Sequence, residues 1–501
     1  MSVICVSIGR GRHRHVIAEH QHLVEQGVKL VELRVDCIQS EVNLSRLVKD
    51  KPGPIVFTCR RVRDGGHWQK SEGDRITLLR QAIVSGVDYI DLEEDIAASI
   101  PRFGKTKRIV SLHNFQETPE NLEEIHARLA GMNADIVKIA TMAHSPHDNA
   151  RMLQLMKNAK IPTIGICMGD IGTPSRILAG KFGAPFTFAT FHAERMLAPG
   201  QLTFDQMSQI YRYESINEET EVYGVIADPV GHSLSPLIHN AGFKEHNLNK
   251  VYVPFRVPRE HLTQFMADAP ALGIKGLSVT IPHKEEVLLL TKKSDEASQQ
   301  IGAANTILFR EEGAVAYNTD VRAAMASVDE AFELNKNPQG LAGKTCLVLG
   351  AGGVARALAY GLRQRAADVV ITSRTIEKSE QLADQFGCRS IMWTSRHSAA
   401  PVLVINGTPL GMHPNVDESP FEPHYLREGT VVFDTVYNPE QTLFIKQARD
   451  MNCRTITGVE MFAAQAALQF KLFTGNDLSL EPCRQIVRRA ISAARIQPAS
   501  E

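Results

Sequence analysis

The first two hundred residues alternate between short apolar runs and longer stretches in which apolar positions recur at helical spacing. Runs rich in Val, Ile, Phe and Cys predict strands at 3–8, 29–35, 55–59, 89–92, 109–112, 136–139, 163–167 and 186–189. Helical patterns fall between them, as at 119–129 and 148–158. Near-continuous apolar strands belong to parallel sheets covered on both faces. Eight strand–helix units in about 210 residues predict a (β/α)8 barrel, with an open doubly wound sheet as the alternative.

The rhythm breaks at 213–221, a polar, acid-rich stretch that reads as a linker. Strands are then expected at 221–227, 250–255, 276–280 and 306–310. A second polar stretch at 336–343 precedes strands at 345–349, 368–373, 403–406, 431–434 and 455–456, and helices at 461–474 and 481–496. The expected division is a barrel over 1–212, a linker over 213–221, an α/β lobe over 222–338, a Rossmann lobe over 339–475 and a terminal helix over 476–501 that packs back.

Length agrees, since 501 residues at about 150 per domain suggest three. Lys+Arg 55 against Asp+Glu 56 leaves a net charge of -1, which argues against a nucleic-acid binder. No apolar run reaches the roughly 18 residues of a membrane-spanning helix. The chain opens directly on a strand, without the pattern of a signal or transit segment, so a cytoplasmic location is expected. The eight cysteines are scattered and none forms a CxxC pair, so neither a disulfide framework nor a metal site is expected.

A barrel binds its ligands at the carboxyl ends of its strands. Those ends carry Glu32 and Arg34 (ELRVD), Arg60, Asp91 and Glu93 (DLEED), His113 (SLHNF) and Lys138 (DIVKIA), then Arg176 in the loop GDIGTPSR and Gln201 in APGQ. Lys138 stands inside an apolar strand. Loss of solvation favours the free amine, a nucleophile towards a ketone; the bland alternative is a lysine paired to a structural carboxylate. His113, on the adjacent strand, could take the proton that an imine acidifies and return it to a leaving hydroxyl.

These separated motifs, in this order over roughly residues 1–210, resemble type I 3-dehydroquinate dehydratase. The resemblance implies Lys138 as the Schiff-base lysine and His113 as general acid/base. It also implies Glu32, Arg34, Arg60, Arg176 and Gln201 around the substrate, with Arg176 on its carboxylate. Two positions depart from the family pattern: Asp64, commonly Glu, and Leu197, often Ser.

In the second half, LVLGAGGVARA places Gly350, Gly352 and Ala355 in a G-x-G-x-x-A turn between strand and helix, a cradle for a pyrophosphate. Ala351, Gly353 and Asn406 are expected beside the cofactor as well. The next strand ends in Ser373-Arg374-Thr375 where an NAD site would have an acid. Arg374, with Lys378 nearby, suits a 2′-phosphate, so NADP(H) is expected.

GHSLSP, VTIPHK, GAANT, NTD, VYNP and AAQAALQF, across 222–491, resemble shikimate dehydrogenase. That implies Lys284 and Asp320 as the catalytic pair, with Ser233, Ser235, Thr280, Asn305, Tyr437 and Gln465 around the substrate. Val321-Arg322-Ala323 follows NTD where the family often has glycine. The whole chain resembles the fused dehydratase–dehydrogenase enzymes of the shikimate pathway. Its implied ligands are 3-dehydroquinate, 3-dehydroshikimate, shikimate and NADP(H), with no metal, nucleic acid or membrane. The alternatives are a catabolic quinate/shikimate dehydrogenase and a silent regulatory homologue.

Overall fold

The computed structural model describes residues 2–231 and 233–496; residues 497–501 of the expected terminal segment lie outside the described residues. Contacts along the chain divide it into two units, Met1–Pro236 with Phe243–Ile274, and Leu237–Gly242 with Lys275–Glu501. No described helix is long and apolar enough to cross a membrane.

The first unit holds a nearly closed barrel of eight parallel strands: β1 (Val3–Ile8), β2 (Leu30–Arg34), β3 (Ile55–Thr58), β4 (Tyr89–Glu93), β5 (Lys107–Asn114), β6 (Ile136–Met142), β7 (Thr163–Met168) and β8 (Phe186–Thr190). Their order is β7-β6-β5-β4-β3-β2-β1-β8. All eight fall where the apolar runs predict them. β2, β3, β7 and β8 are buried along their whole length, which is why their sequences run continuously apolar rather than alternating. Loops that end these strands face the same end of the barrel, and the predicted polar residues are gathered there.

The expected linker is partly structured. Tyr213 is fully buried and shares a 2.7 Å hydrogen bond with Ser2, stapling the end of the barrel sequence to its beginning. Beyond it, β9 (Glu221–Ala227) pairs in parallel with β10 (Lys250–Arg256) in the same unit.

The second unit contains β11 (Ile274–Val279), β12 (Lys293–Ser294), β13 (Thr306–Arg310) and β14 (Gly313–Tyr317). Here the expectation of further βα units needs correction. β13 runs antiparallel to both β11 and β14, and β12 pairs with the far side of β14. β14 is not predicted, because GAVAY is small, half-exposed and reached from β13 by a two-residue turn into Gly313. The rest is a parallel sheet of β15 (Thr345–Leu349), β16 (Asp368–Thr372), β17 (Arg389–Ser390), β18 (Leu403–Asn406), β19 (Val431–Asp434) and β20 (Arg454–Ile456). Its order, β17-β16-β15-β18-β19-β20, is the doubly wound order with a switch point between β15 and β18. Its core packs Val348, Leu358, Ile371 and Ile405 between sheet and helices.

Candidate active sites

Register builds the barrel site. β4, β5 and β6 align Glu93 with Ser111 and Ser111 with Lys138, while Ser7 of β1 aligns with Glu32 of β2. The cavity above these rows encloses about 550 Å³, open to solvent, and its walls include Lys138, His113, Glu32, Arg34, Arg60, Arg176 and Gln201. The seven residues that the dehydratase resemblance implies therefore meet in one place, with Asp91 and Glu93 just beneath them.

Lys138 Nζ donates to Asp91 Oδ2 at 2.9 Å and sits 4.2 Å from the centre of the Phe188 ring. The carboxylate is shared: Arg60 reaches the same oxygen at 2.7 Å, and Ser111 donates to the other at 2.6 Å. Arg60 also donates to Glu93 at 2.9 Å, and Glu93 accepts from the fully buried Arg75 at 2.7 Å. Burial alone would favour protonated Asp91, but Arg60 and Lys138 hold it far below the usual carboxylate range. Burial, reinforced by the Arg60 and Lys138 cations, holds the His113 pKa well below its ordinary value, so the imidazole is neutral. Its Nδ1 is buried and has no hydrogen-bond partner among the described residues.

The other cations differ in how they are used. Arg34 forks onto Asp36 at 2.9 and 2.8 Å. Arg176 is buried, donates to the Pro199 carbonyl at 3.1 Å, and has no carboxylate partner among the described residues; burial pushes its pKa down to about 10. A buried guanidinium without a counter-ion is suited to an anionic ligand. Glu32 is an acceptor for Ser7 and Thr58 at 2.6 and 2.8 Å. Gln201 Oε1 accepts from the Leu197 backbone at 3.0 Å. Gly200, at φ +70, passes so close to Gly169 that a Cβ there would meet its carbonyl oxygen at 2.4 Å, which brings the loops after β7 and β8 together over the cavity. Asp64 and Leu197 line the same cavity, with Asp64 bonded to Arg61 at 2.7 Å.

Ser111 and Arg75 are site residues that sequence reasoning misses. Ser111 opens SLHNF, but it stands in the shadow of His113, and only the strand register shows it reaching Asp91. Arg75 is legible in principle: it heads the buried stripe Leu78, Leu79, Ala82 on the helix Glu72–Val84, an unusual place for a cation.

In the second unit, Lys284 Nζ donates to Asp320 Oδ2 at 2.7 Å. Asn305 Nδ2 donates to Asp320 Oδ1 at 2.8 Å. Asp320 lies in the first turn of the helix Thr319–Ala331, where the helix dipole favours a carboxylate, and Asn318 caps that turn. Thr280, half-buried, directly follows β11, and Asn305 directly precedes β13. Tyr437 stacks on Phe462 at 4.5 Å, one turn before Gln465 on the helix Gly458–Thr474; burial raises the Tyr437 pKa. Ser233 and Ser235, at the start of the helix Ser235–Glu245, belong to the first unit; Ser235 is buried and its backbone N–H meets Ser233 Oγ at 3.4 Å.

The glycine turn has the shape its motif predicts. Gly350 adopts φ +115, and a Cβ there would meet the Gly407 carbonyl oxygen at 2.8 Å, so the turn lies against the loop after β18 at the switch point. A Cβ on Gly352 would meet nothing within 4 Å, leaving open space at the N-terminus of the helix Gly353–Arg363. Ala351 lies between these two glycines. A Cβ on Gly353 would lie 3.5 Å from Lys284 Cδ, so Lys284 borders the turn. Arg374, Thr375 and Lys378 are exposed after β16, while Ser373 is buried and donates to the Thr375 carbonyl at 2.5 Å. An open helix N-terminus with two exposed cations alongside fits a dinucleotide carrying an additional phosphate.

Asn406 needs correction. It donates to the Leu410 carbonyl at 3.0 Å and Asp434 Oδ1 at 2.9 Å, and accepts from the Thr408 backbone and hydroxyl at 3.0 and 2.7 Å. With both donors and both acceptor positions used, the side chain shapes the loop and leaves no hydrogen bond for a cofactor.

Its partner Asp434 is buried, which raises its pKa to about 6 against bonds from Thr442, Val436 and Asn406. The unfolded chain ionises this carboxyl near the ordinary value, so stability falls as pH rises from about 4 to about 6, by roughly 3 kcal/mol in all. Asp434→Asn can keep on its oxygen the bonds from Asn406 and Val436 without a charge, with its NH2 donating to Thr442 Oγ1 in place of the bond that Thr442 now gives. It is expected to unfold at a higher temperature than the parent at neutral pH and to lose this pH dependence. A variant less stable than the parent at neutral pH would contradict this account.

Comparison with known families gives matches along the chain. Residues 4–218 match the family model of type I 3-dehydroquinase, 225–307 the shikimate dehydrogenase substrate binding domain, 333–400 shikimate / quinate 5-dehydrogenase, and 458–488 the shikimate 5'-dehydrogenase C-terminal domain. The chain is 37% identical to a bifunctional 3-dehydroquinate dehydratase/shikimate dehydrogenase, chloroplastic, of Arabidopsis thaliana, over 97% of this chain and 84% of that one. It is 39% identical to a shikimate dehydrogenase (NADP(+)) of Methanocaldococcus jannaschii, over 55% of this chain and 98% of the relative. A crystal structure of a shikimate dehydrogenase in complex with NADP+ superposes with a TM-score of 0.52 at 38% identity, covering 55% of this chain and 97% of that one.

Proposed function

The chain belongs to the family of bifunctional 3-dehydroquinate dehydratase/shikimate dehydrogenases, and from that premise we propose how its residues divide the work of the two reactions. It is an enzyme of the shikimate pathway with a lyase and an oxidoreductase activity. The observation that carries the assignment is the gathering of Lys138, neutral His113 and Arg176 around one cavity, and the placing of the Lys284–Asp320 pair beside the glycine turn.

In the barrel, Arg176 holds the carboxylate of 3-dehydroquinate and Glu32 and Gln201 meet its hydroxyls. Arg34 and Arg60, each already paired with buried carboxylates, line the wall of the site. Lys138 passes a proton to its surroundings and its amine adds to the ketone, losing water to form an imine. His113 then removes the proton that the imine has acidified. The resulting imidazolium protonates the leaving hydroxyl, and hydrolysis of the imine releases 3-dehydroshikimate and restores Lys138.

In the second unit, Lys284 and Asp320 handle the proton that accompanies reduction of the ketone. NADPH supplies the hydride when bound. Gly350, Ala351, Gly352 and Gly353 hold its pyrophosphate, and Ser373, Arg374, Thr375 and Lys378 its extra phosphate. Thr280, Asn305, Tyr437 and Gln465 bind ring hydroxyls. Both reactions are assigned to the cytoplasm, in keeping with cysteines that are mostly buried.

Steady-state comparison tests the substrate and cofactor. Clear preference for shikimate with NADP is expected; preference for quinate with NAD would move the enzyme to catabolism. Arg374→Ala is expected to raise KM for NADP about 10- to 100-fold, the value of one or two charge-assisted hydrogen bonds, and to leave KM for NAD almost unchanged. Equal losses with both cofactors would remove Arg374 from the phosphate site.

A further inference from the structure

We propose that Gln469 is a positioning residue for reduction: it fixes the direction of a hydrogen-bond chain that turns the Asn305 amide towards Asp320. The inference rests on the reading of Lys284 and Asp320 as the proton-handling pair.

Gln469 is buried on the helix Gly458–Thr474, four residues after Gln465. Its Oε1 accepts from Ser278 Oγ at 2.7 Å. Its Nε2 donates to the Asn305 backbone carbonyl and to Thr306 Oγ1, each at 2.9 Å. The carbonyl decides the orientation, because only the NH2 end of an amide can face it. Thr306 has a single hydroxyl hydrogen. Since its oxygen accepts from Gln469, that hydrogen is directed to Asn305 Oδ1 at 2.9 Å. Oδ1 also accepts from the Thr319 backbone at 2.8 Å. With its carbonyl end held by two donors, Asn305 presents its amide hydrogens to Asp320 Oδ1 and Thr319 Oγ1 at 2.8 and 2.9 Å. Asp320 Oδ2 is thereby left facing Lys284.

Ser278, Asn305, Thr306, Thr319, Asp320 and Gln469 are all buried, so water does not stand in for a missing member. The titratable groups around the chain are Lys284, Asp320 and His239; burial takes the His239 pKa down to about 3, against the opposing interaction with the Gln469 side chain. Asn305 keeps a second bond to its carbonyl, from the Val279 backbone at 2.7 Å, so losing Gln469 loosens the site without unpairing the strands.

The test uses the full chain with Gln469→Met and Gln469→Glu. Met fills the space but donates nothing. It is expected to lower kcat for reduction on the order of 10- to 100-fold, the cost of a small misplacement of reacting groups, with KM for NADP and the dehydration rate unchanged. Glu can donate to the Asn305 carbonyl only while protonated. Its kcat relative to the parent is therefore expected to fall as pH rises from about 6 to about 9. A parent-like kcat in Gln469→Met, or a Glu-to-parent ratio flat across that range, overturns the inference; should the Met variant fail to fold, the Glu ratio decides alone. Full reduction by Asp320→Asn would instead overturn the reading of the pair, so the two failures are distinguishable.

Discussion

Lys138→Ala is expected to lose dehydration by about 10⁴-fold or more, the scale at which removing a covalent nucleophile acts, while reducing 3-dehydroshikimate at the parent rate. Among the described residues, no other lysine lines the barrel cavity. The fold tolerates the change, because Asp91 keeps Arg60 at 2.7 Å and Ser111 at 2.6 Å when Lys138 is gone. Borohydride added during turnover should fix ligand mass to the peptide containing Lys138 in the parent and to none in the variant. Absence of an adduct in the parent would sink the imine mechanism. His113 adds a pH signature. Because burial and the Arg60 and Lys138 cations lower its pKa, the neutral base persists in acid, so the acidic limb of the free enzyme's dehydration profile should lie below the ordinary histidine value near 6.5. A limb at or above that value would mean that His113 is not the base.

How much of this is readable in the chain depends on whether the information is local. The eight barrel strands are local: buried parallel strands write themselves as apolar runs, and polar residues at their ends stand out against that background. Lys138, His113 and Arg176 are therefore visible in the amino-acid sequence alone. What they touch is not. The sharing of Asp91 between Lys138 and Arg60 depends on a register between β4 and β6, and no spacing in the sequence encodes it. β14 is hidden because a short, half-exposed strand of small residues has little apolar signal. Tyr213 sits in a polar stretch, yet its ring is buried through a contact 211 residues away. Asn406 and Gln469 show the same limit from opposite sides. The first stands out by its motif, and its hydrogen bonds prove to be spent on its own loop and on Asp434 of the neighbouring strand. The second is less conspicuous than Gln465, because helical periodicity says which residues face inward and not which polar groups await them.

Asp320→Asn is expected to lower kcat for reduction by about 10²- to 10⁴-fold, the range of a positioned proton donor or acceptor, and to leave dehydration untouched. The substitution is isosteric, so its effect is electronic. Asp320 accepts on both oxygens, from Asn305 at 2.8 Å and Lys284 at 2.7 Å. An asparagine offers one acceptor end. If that end serves Asn305, an NH2 group faces the Lys284 ammonium and pushes it from its place; if it serves Lys284, two NH2 groups meet at Asn305. Either way the lysine loses the carboxylate that aims it past Gly353 towards the cofactor turn. Lys284→Ala removes the other half of the unit and should cost about as much. The double variant should then be hardly slower than the worse single one, since groups that act as one unit do not give additive losses. Additive losses would show that Lys284 and Asp320 act in separate steps, and a parent-like rate in either single variant would place proton transfer elsewhere.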